Sequence, residues 1–391
     1  MYSLKNNYTG SVTPWEYGLS SRISLLNNYI KNLNKISVLI YEYPDTSTFR
    51  YRGYNIMQIT QQKLNSEWKC VYFFRNELKS IITYLKNINL ITLIRVRWNQ
   101  ELDDFIIKAK KQNIKILFDV DDLVFDLKYL PLVQNTLNTD ATEISYDFWF
   151  AYISRIEFTA SKADGYITTN EYLGEKLKNK FNKKTSIIPN FINYEQLDIS
   201  KDLCNQKKNI INKNPFTIGY FSGTPSHIND FKIVYKELMQ LLKNFDMRLL
   251  VVGFMEFPDE MRSLINNKKI IYIPLVDFIE LQRQVAQVDI NIVPLVNNEF
   301  TNCKSELKYF EAAIVNTITF ATPTFTYKKC IQDGKNGFLC KEGQWYERIE
   351  EFFNNVNKDE IIKNAYNEAI ENYSGNKIIN TINDVYNNIF E

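Results

Sequence analysis

Several groups of residues in this sequence have the types and the spacing for chemistry. Lys304, Ser305, Glu306, Leu307, Lys308 and Glu311 open a helical pattern that follows an apolar run and a polar loop. Lysines beside the unpaired N–H groups of a helix start suit an anion such as a diphosphate. Glu311, three residues after Lys308 on the same face, is placed to accept hydrogen bonds from sugar hydroxyls. Earlier, DVDD brings Asp119, Asp121 and Asp122 to the end of a buried strand, where carboxylates bind a divalent metal, act as acid or base, or accept from hydroxyls. Ser222, Gly223 and Thr224 follow another apolar run. The glycine allows close approach of an anion, and Thr224 and Ser226 offer hydroxyls beside the chain's one histidine, His227. RYRGYN carries Arg50, Arg52 and Asn55, and Arg97 ends a further strand; the guanidinium fork suits phosphate. Plainer readings stand beside these: a solvated charged helix, carboxylates capping the next turn, surface arginines and a structural histidine.

The elements that must position these residues alternate. Apolar runs at Ile36–Tyr41, Lys69–Phe74, Leu90–Val96 and Ile114–Phe118 are separated by helical patterns at Glu77–Lys86 and Glu101–Gln112. The pattern resumes with Thr217–Phe221, Met247–Phe254, Ile270–Pro274, Ile290–Leu295 and Ile318–Ala321. Strands alternating with helices predict an α/β chain of doubly wound parallel sheets, which bind ligands at the carboxyl ends of their strands. SIIPN (Ser186–Asn190) reads as a crossover between two halves. A helix over Ser21–Leu33 precedes the first strand and is expected to cover the N-terminal half. Asp126–Phe150 is aromatic and weakly periodic; Phe148, Trp149, Phe150 and Tyr152 fit a core cluster or a sugar-stacking surface, core being the commoner fate.

KSELKYFEAA followed by TITFATP resembles the donor helix of the group 1 nucleotide-sugar glycosyltransferases, which have the GT-B fold of two Rossmann-like domains around a cleft. The resemblance runs over residues 36–390 and is densest over 217–340. It implies that Glu311, at the second Glu of a Glu–seven residues–Glu motif, grips the donor ribose. The first Glu falls at Cys303, so the motif is incomplete. It also implies that the Ser222–Gly223–Thr224 loop faces the leaving diphosphate, with Ser222 and His227 where the family has Arg and Lys. Pro274 and Val276 stand where relatives hold the nucleobase, and the RYRGYN loop where they meet donor phosphate or acceptor. Catalytic roles then fall to Lys304, Asp121, Asp122 and His227, and donor binding to Ser222, Gly223, Thr224, Ser305, Glu306, Leu307, Lys308, Glu311, Pro274 and Val276. Acceptor or phosphate contacts fall to Arg50, Arg52, Asn55 and Arg97.

The domains expected are an extension over 1–35, an acceptor domain over 36–190, a donor domain over 191–372 and a returning helix over 373–391. The resemblance implies a retaining transferase that needs no metal or other cofactor and takes a UDP- or GDP-sugar as co-substrate. A glycan, lipid-linked or protein acceptor is its partner. Two alternatives are a metal-dependent transferase using Asp119 and Asp121, and a non-catalytic scaffold, which the incomplete motif suggests. Composition narrows the field. In 391 residues, 47 basic and 45 acidic side chains are mixed to a net charge of +2, which gives no nucleic-acid footprint. Five scattered cysteines form no CxxC pair, and one histidine excludes a His-based metal centre. No apolar run reaches the roughly 18 residues of a membrane span, so the expected location is cytoplasmic, with peripheral contact at the inner membrane face left open.

Overall fold

The computed structural model describes residues 13–62, 66–136, 142–208, 215–223, 228–354 and 358–391. Two six-stranded sheets, parallel throughout, organise them. The N-terminal sheet has the order β2-β1-β3-β4-β5-β6, from β1 (Lys35–Tyr41), β2 (Trp68–Phe74), β3 (Leu90–Ile94), β4 (Lys115–Asp119), β5 (Gly165–Thr168) and β6 (Thr185–Ile187). The second has the order β12-β11-β10-β7-β8-β9, from β7 (Phe216–Ser222), β8 (Met247–Gly253), β9 (Ile270–Ile273), β10 (Ile290–Val293), β11 (Ile318–Ala321) and β12 (Phe338–Leu339). Helices cover both faces of each sheet, so strands such as KISVLIY are buried at every position after the first. Their order reverses between β1 and β3 and again between β7 and β10, the two places where such sheets open a crevice. This is the α/β, GT-B arrangement that the strand–helix alternation and the donor-helix resemblance led us to expect.

Eight helices matter to the site: α1 (Leu19–Lys31), α2 (Asn55–Gln62), α3 (Glu143–Ser161), α4 (Tyr194–Lys208), α5 (Phe278–Ala286), α6 (Leu307–Ala313), α7 (Lys358–Tyr373) and α8 (Gly375–Asn387). Helix α1 is fixed by Arg22, whose guanidinium bonds Glu77 at 2.7 Å and lies 4.9 Å above the Tyr72 ring. Helix α8 returns to the first sheet, where Trp68 stacks on Phe390 and donates its Nε1–H to Asn387 at 2.9 Å. Among the described residues no helix is long and apolar enough to cross a membrane.

Four expectations about elements change. The segment after β1 is not an open loop: Arg50–Tyr54 forms a π-helical turn, wholly buried, that runs into α2. SIIPN is not only a crossover, because Thr185–Ile187 adds β6 to the edge of the first sheet. The helix expected to bind the donor starts at Leu307 rather than near Ser305, after a separate turn, Glu299–Asn302, capped by Asn298. The aromatic stretch forms α3, and its first half projects from the core: Phe148 and Phe150 are more than half exposed.

Candidate functional site

A cavity of about 380 Å³ lies beyond the carboxyl ends of β1 and β7, with Asn291 of β10 in its wall. Thr46, Ser47, Arg50 and Tyr51 line it from the first domain, and Ser222, Gly223, Val276, Leu307, Lys308 and Glu311 from the second. Next to the lining residue Val252, β8 ends at Gly253. Its φ is +102°, and a Cβ there would fall 1.6 Å from the Ser222 carbonyl oxygen, so only glycine lets β8 end against this loop. At Gly223 a Cβ would meet nothing within 4 Å, which leaves its backbone open to the cavity.

Glu311 is the centre of the polar wall. One oxygen, Oε1, accepts from the Tyr51 hydroxyl, from Arg50 Nη2 at 3.3 Å and from Gln196 Nε2 at 3.1 Å. Three donors on one oxygen fix the side chain, and among the described residues no group bonds Oε2. Arg50 is buried, held by the Thr46 carbonyl at 2.8 Å and sandwiched between the Tyr51 and Phe278 rings at 4.2 and 4.9 Å. Its Nη1 has no partner among the described residues. Lys308 lies 5.8 Å from the Tyr220 ring centre. Burial pushes its ammonium down to about 8; Asp230 opposes the shift, Lys304 adds to it and Glu311 opposes it. The cavity wall thus presents a fixed carboxylate oxygen, a spare guanidinium N–H, a titratable ammonium and an open glycine. That set can take a nucleoside diphosphate: hydroxyls on the carboxylate, phosphate on the cations and backbone.

Lys304, Asp121 and Asp122 are not among the lining residues; Lys304 Nζ reaches across to Asp122 at 3.3 Å and covers the Phe300 ring at 4.5 Å. Asp121 accepts from Thr48 at 2.8 Å and from Arg95 at 3.3 Å. Arg95 itself has a left-handed backbone (φ +43°), unusual for a side chain of its size.

Other residues singled out from the sequence lie elsewhere. Arg52 is wholly buried and spent on structure: it bonds both Asp119 oxygens, at 2.9 and 3.0 Å, and the Ile188 carbonyl at 2.7 Å. It therefore has no path to a phosphate, and Asp119 is not free to pair with Asp121 around a metal. Among the described residues no group of three His, Cys, Asp or Glu side chains could hold one. Asn55 is equally interior, donating to the Phe191 carbonyl at 2.8 Å. Arg97 pairs with Glu42 away from the cavity. Ser305 Oγ is buried without a partner among the described residues, and burial pushes the Glu306 carboxyl up, its hydrogen bond with Tyr373 opposing. Pro274 is exposed, and its neighbours Leu275 and Val276 make the wall instead. Cys303 is fully buried, so the position of the absent first Glu packs into the first domain's core. Thr224 and His227, with Ser226, lie outside the described residues.

Sequence reasoning missed Tyr51, Gln196, Asn291 and Phe278. Tyr51 stood inside RYRGYN, a stretch already singled out, so its neighbours were the available signal. Gln196 and Asn291 carried none, because their role comes only from folding: α4 brings Gln196 to Glu311, and Asn291 enters the cavity from the middle of β10.

Comparison with known proteins agrees with this fold. Residues 215–355 match the model of the family described as Glycosyl transferases group 1. No curated protein matches the sequence. Among solved structures, a glycosyltransferase from Rickettsia africae is 16% identical, covers 92% of this chain and 99% of its own, and superposes with a TM-score of 0.60. HepE from Anabaena, in complex with UDP and glucose, is 13% identical over 91% of this chain and 99% of its own, with a TM-score of 0.58. Sucrose-phosphate synthase from Thermosynechococcus elongatus gives the same four values. At such identities these likenesses concern the fold.

Proposed function

Residues 215–355 match the group 1 glycosyltransferases and the whole chain has the GT-B fold; from that premise we propose that the chain is a member of that family and moves a sugar from a UDP- or GDP-sugar to a glycan, lipid-linked or protein acceptor. Retention of anomeric configuration, without a metal ion or other cofactor, is part of the proposal. So is the division into an extension (1–35), an acceptor domain (36–190), a donor domain (191–372) and a returning helix (373–391).

The observation that carries the reading is Glu311, locked through Oε1 by three donors with Oε2 left for a ligand. In this proposal Oε2 accepts from the ribose hydroxyls. Val276 and Leu275 flank the base, while Arg50 Nη1, Lys308 and the Ser222–Gly223 backbone receive the diphosphate. As the anomeric C–O bond to the diphosphate breaks, the acceptor oxygen bonds to that carbon, and its proton leaves on the diphosphate. Charge grows on the leaving oxygen, where fixed donors lower the barrier. Lys304, bridged to Asp122, keeps the cleft closed against water, and Asp121, oriented by Arg95 and Thr48, receives the acceptor hydroxyl.

The test is nucleotide release from UDP-, GDP-, ADP- and CMP-sugars, with and without EDTA, for the parent and Glu311→Ala. Release from one donor, indifferent to EDTA and lost in the variant, is expected. The variant removes a charge-assisted contact of about 1.5–3 kcal/mol, so donor binding weakens roughly 10- to 100-fold. No release and no nucleotide-induced thermal shift across the panel would point to the scaffold instead; EDTA-sensitive release would point to the metal-dependent alternative.

A further inference from the structure

Beside the donor cavity, the carboxyl ends of β1, β2 and β3 carry a cluster of arginines that the donor chemistry leaves unused. Arg75 and Arg97 share one carboxylate, Glu42, at 3.1 Å and at 2.8–2.9 Å. Arg155, on α3, donates to the Trp98 carbonyl at 2.7 Å. Its burial, then the charges of Arg97 and Arg75 beside it, make its protonated form costlier, with Glu42 opposing. Three guanidinium groups against one carboxylate leave a surplus of positive charge where the Arg75 and Arg97 side chains are 24% and 26% exposed. The Arg97 and Arg95 guanidinium groups lie 5.4 and 6.0 Å from the Tyr152 ring centre, and Arg95 continues inward to Asp121.

Helix α3 extends this line outward. Ile144, Phe148, Tyr152 and Arg155 recur at four- and three-residue spacing and so share one face. Phe148 stacks on Tyr152 at 6.0 Å. Yet Ile144 is 82% exposed and Phe148 55%, while Tyr146 and Phe150, also exposed, lie on the opposite face of the helix. An apolar ridge of this extent on a surface marks an interaction site. The helix itself carries Glu143 and Asp147, so the positive charge beside the ridge comes from the strand ends and from Arg155.

We propose that this line is the acceptor track and that the acceptor is a lipid-linked phosphate or diphosphate sugar. Its apolar chain lies on Ile144 and Phe148, its phosphate on Arg97 and Arg75, and its sugar reaches toward Arg95 and Asp121. The order apolar, cationic, polar along one line matches the order chain, phosphate, sugar in such a molecule. A soluble anionic glycan would use the arginines and leave the ridge idle. The proposal rests on the transferase reading, and the test separates the two.

The test is flotation of the full chain with three vesicle preparations: phosphatidylcholine alone, phosphatidylcholine with a polyprenyl phosphate, and phosphatidylcholine with phosphatidylglycerol at equal charge. UDP- and GDP-induced thermal shifts are read on the same samples. Binding is expected to favour the polyprenyl phosphate vesicles over both others. It should fall about tenfold or more in Ile144→Ser/Phe148→Ser, whose side chains are exposed, at an unchanged Tm. Arg97→Gln should lower it too. Equal binding to phosphatidylglycerol would overturn the proposal in favour of a general membrane surface. Absence of flotation would overturn it in favour of a soluble acceptor. A chain that shifts with UDP or GDP but ignores the vesicles keeps its donor site and loses this acceptor; one that floats but shifts with neither nucleotide loses the transferase reading.

Discussion

Lys308 lines the cavity proposed to take the donor, and its charge changes near neutrality. Its ammonium titrates at about 8 because burial removes water that would solvate it. A depressed lysine is protonated below that value and neutral above it, so its attraction for a diphosphate is present at low pH and fades as pH rises. Donor affinity is expected to fall above pH 8, by at most about tenfold per unit. Lys308→Met should flatten that profile while weakening binding at neutral pH; donor KM measured against pH for both proteins checks it, and an unchanged slope in the variant would remove Lys308 from the phosphate site. At this scale the sequence was readable where candidate residues sat in short local runs: Lys308 and Glu311 from one run, and Ser222 and Gly223 from another, line one cavity. It misled where residue type was right and direction was not. Arg50 and Arg52 are two apart in the same turn, yet Arg50 faces the cavity and Arg52 the core, a difference that depends on the π-helical winding of Arg50–Tyr54.

That turn is the element to which the first domain's cleft wall is fastened. Arg52 ties it to β4 through Asp119 and to the segment after β6 through the Ile188 carbonyl, all without solvent contact. Removing one partner of such a pair leaves a buried charge unmatched. Arg52→Met should therefore cost about 3–5 kcal/mol of stability, seen as a lower denaturant midpoint. Were Arg52 a phosphate contact instead, the variant would keep its stability and lose donor affinity. Periodicity revealed most strands, because parallel strands covered on both faces read as unbroken apolar runs. It could not reveal the π-turn, whose one-residue widening leaves no mark in a hydrophobic pattern, or the three-residue β6, too short to show a period.

At the scale of the molecule, the cleft is fastened by the loop after β10. Phe300 and Cys303, from the second domain, are buried in the first domain's core. Asn170 caps the next helix of that domain through its Oδ1 and gives its amide N–H to the Cys303 carbonyl at 2.8 Å. Glu299 and Lys304 add ion pairs to Lys176 and Asp122. Phe300→Ala should remove about 3–5 kcal/mol from the closed arrangement. The domains would then separate more readily, with a larger radius of gyration in solution scattering; an unchanged radius would mean that the ion pairs suffice. The two sheets could be read from the sequence, since each has its own alternation. Their fastening could not, because Phe300 and Cys303 look like any apolar loop residues until their partners from the other half are known. The returning helix α8 has a consequence for biosynthesis. Trp68 meets Asn387, 319 residues later, and Ile389 comes to rest against Gly165. As the polypeptide emerges from the ribosome, the first domain can form its strands long before this cover exists. Until then it carries a bare aromatic groove around Trp68, one that a chaperone, or a second nascent copy offering its own α8, would find open.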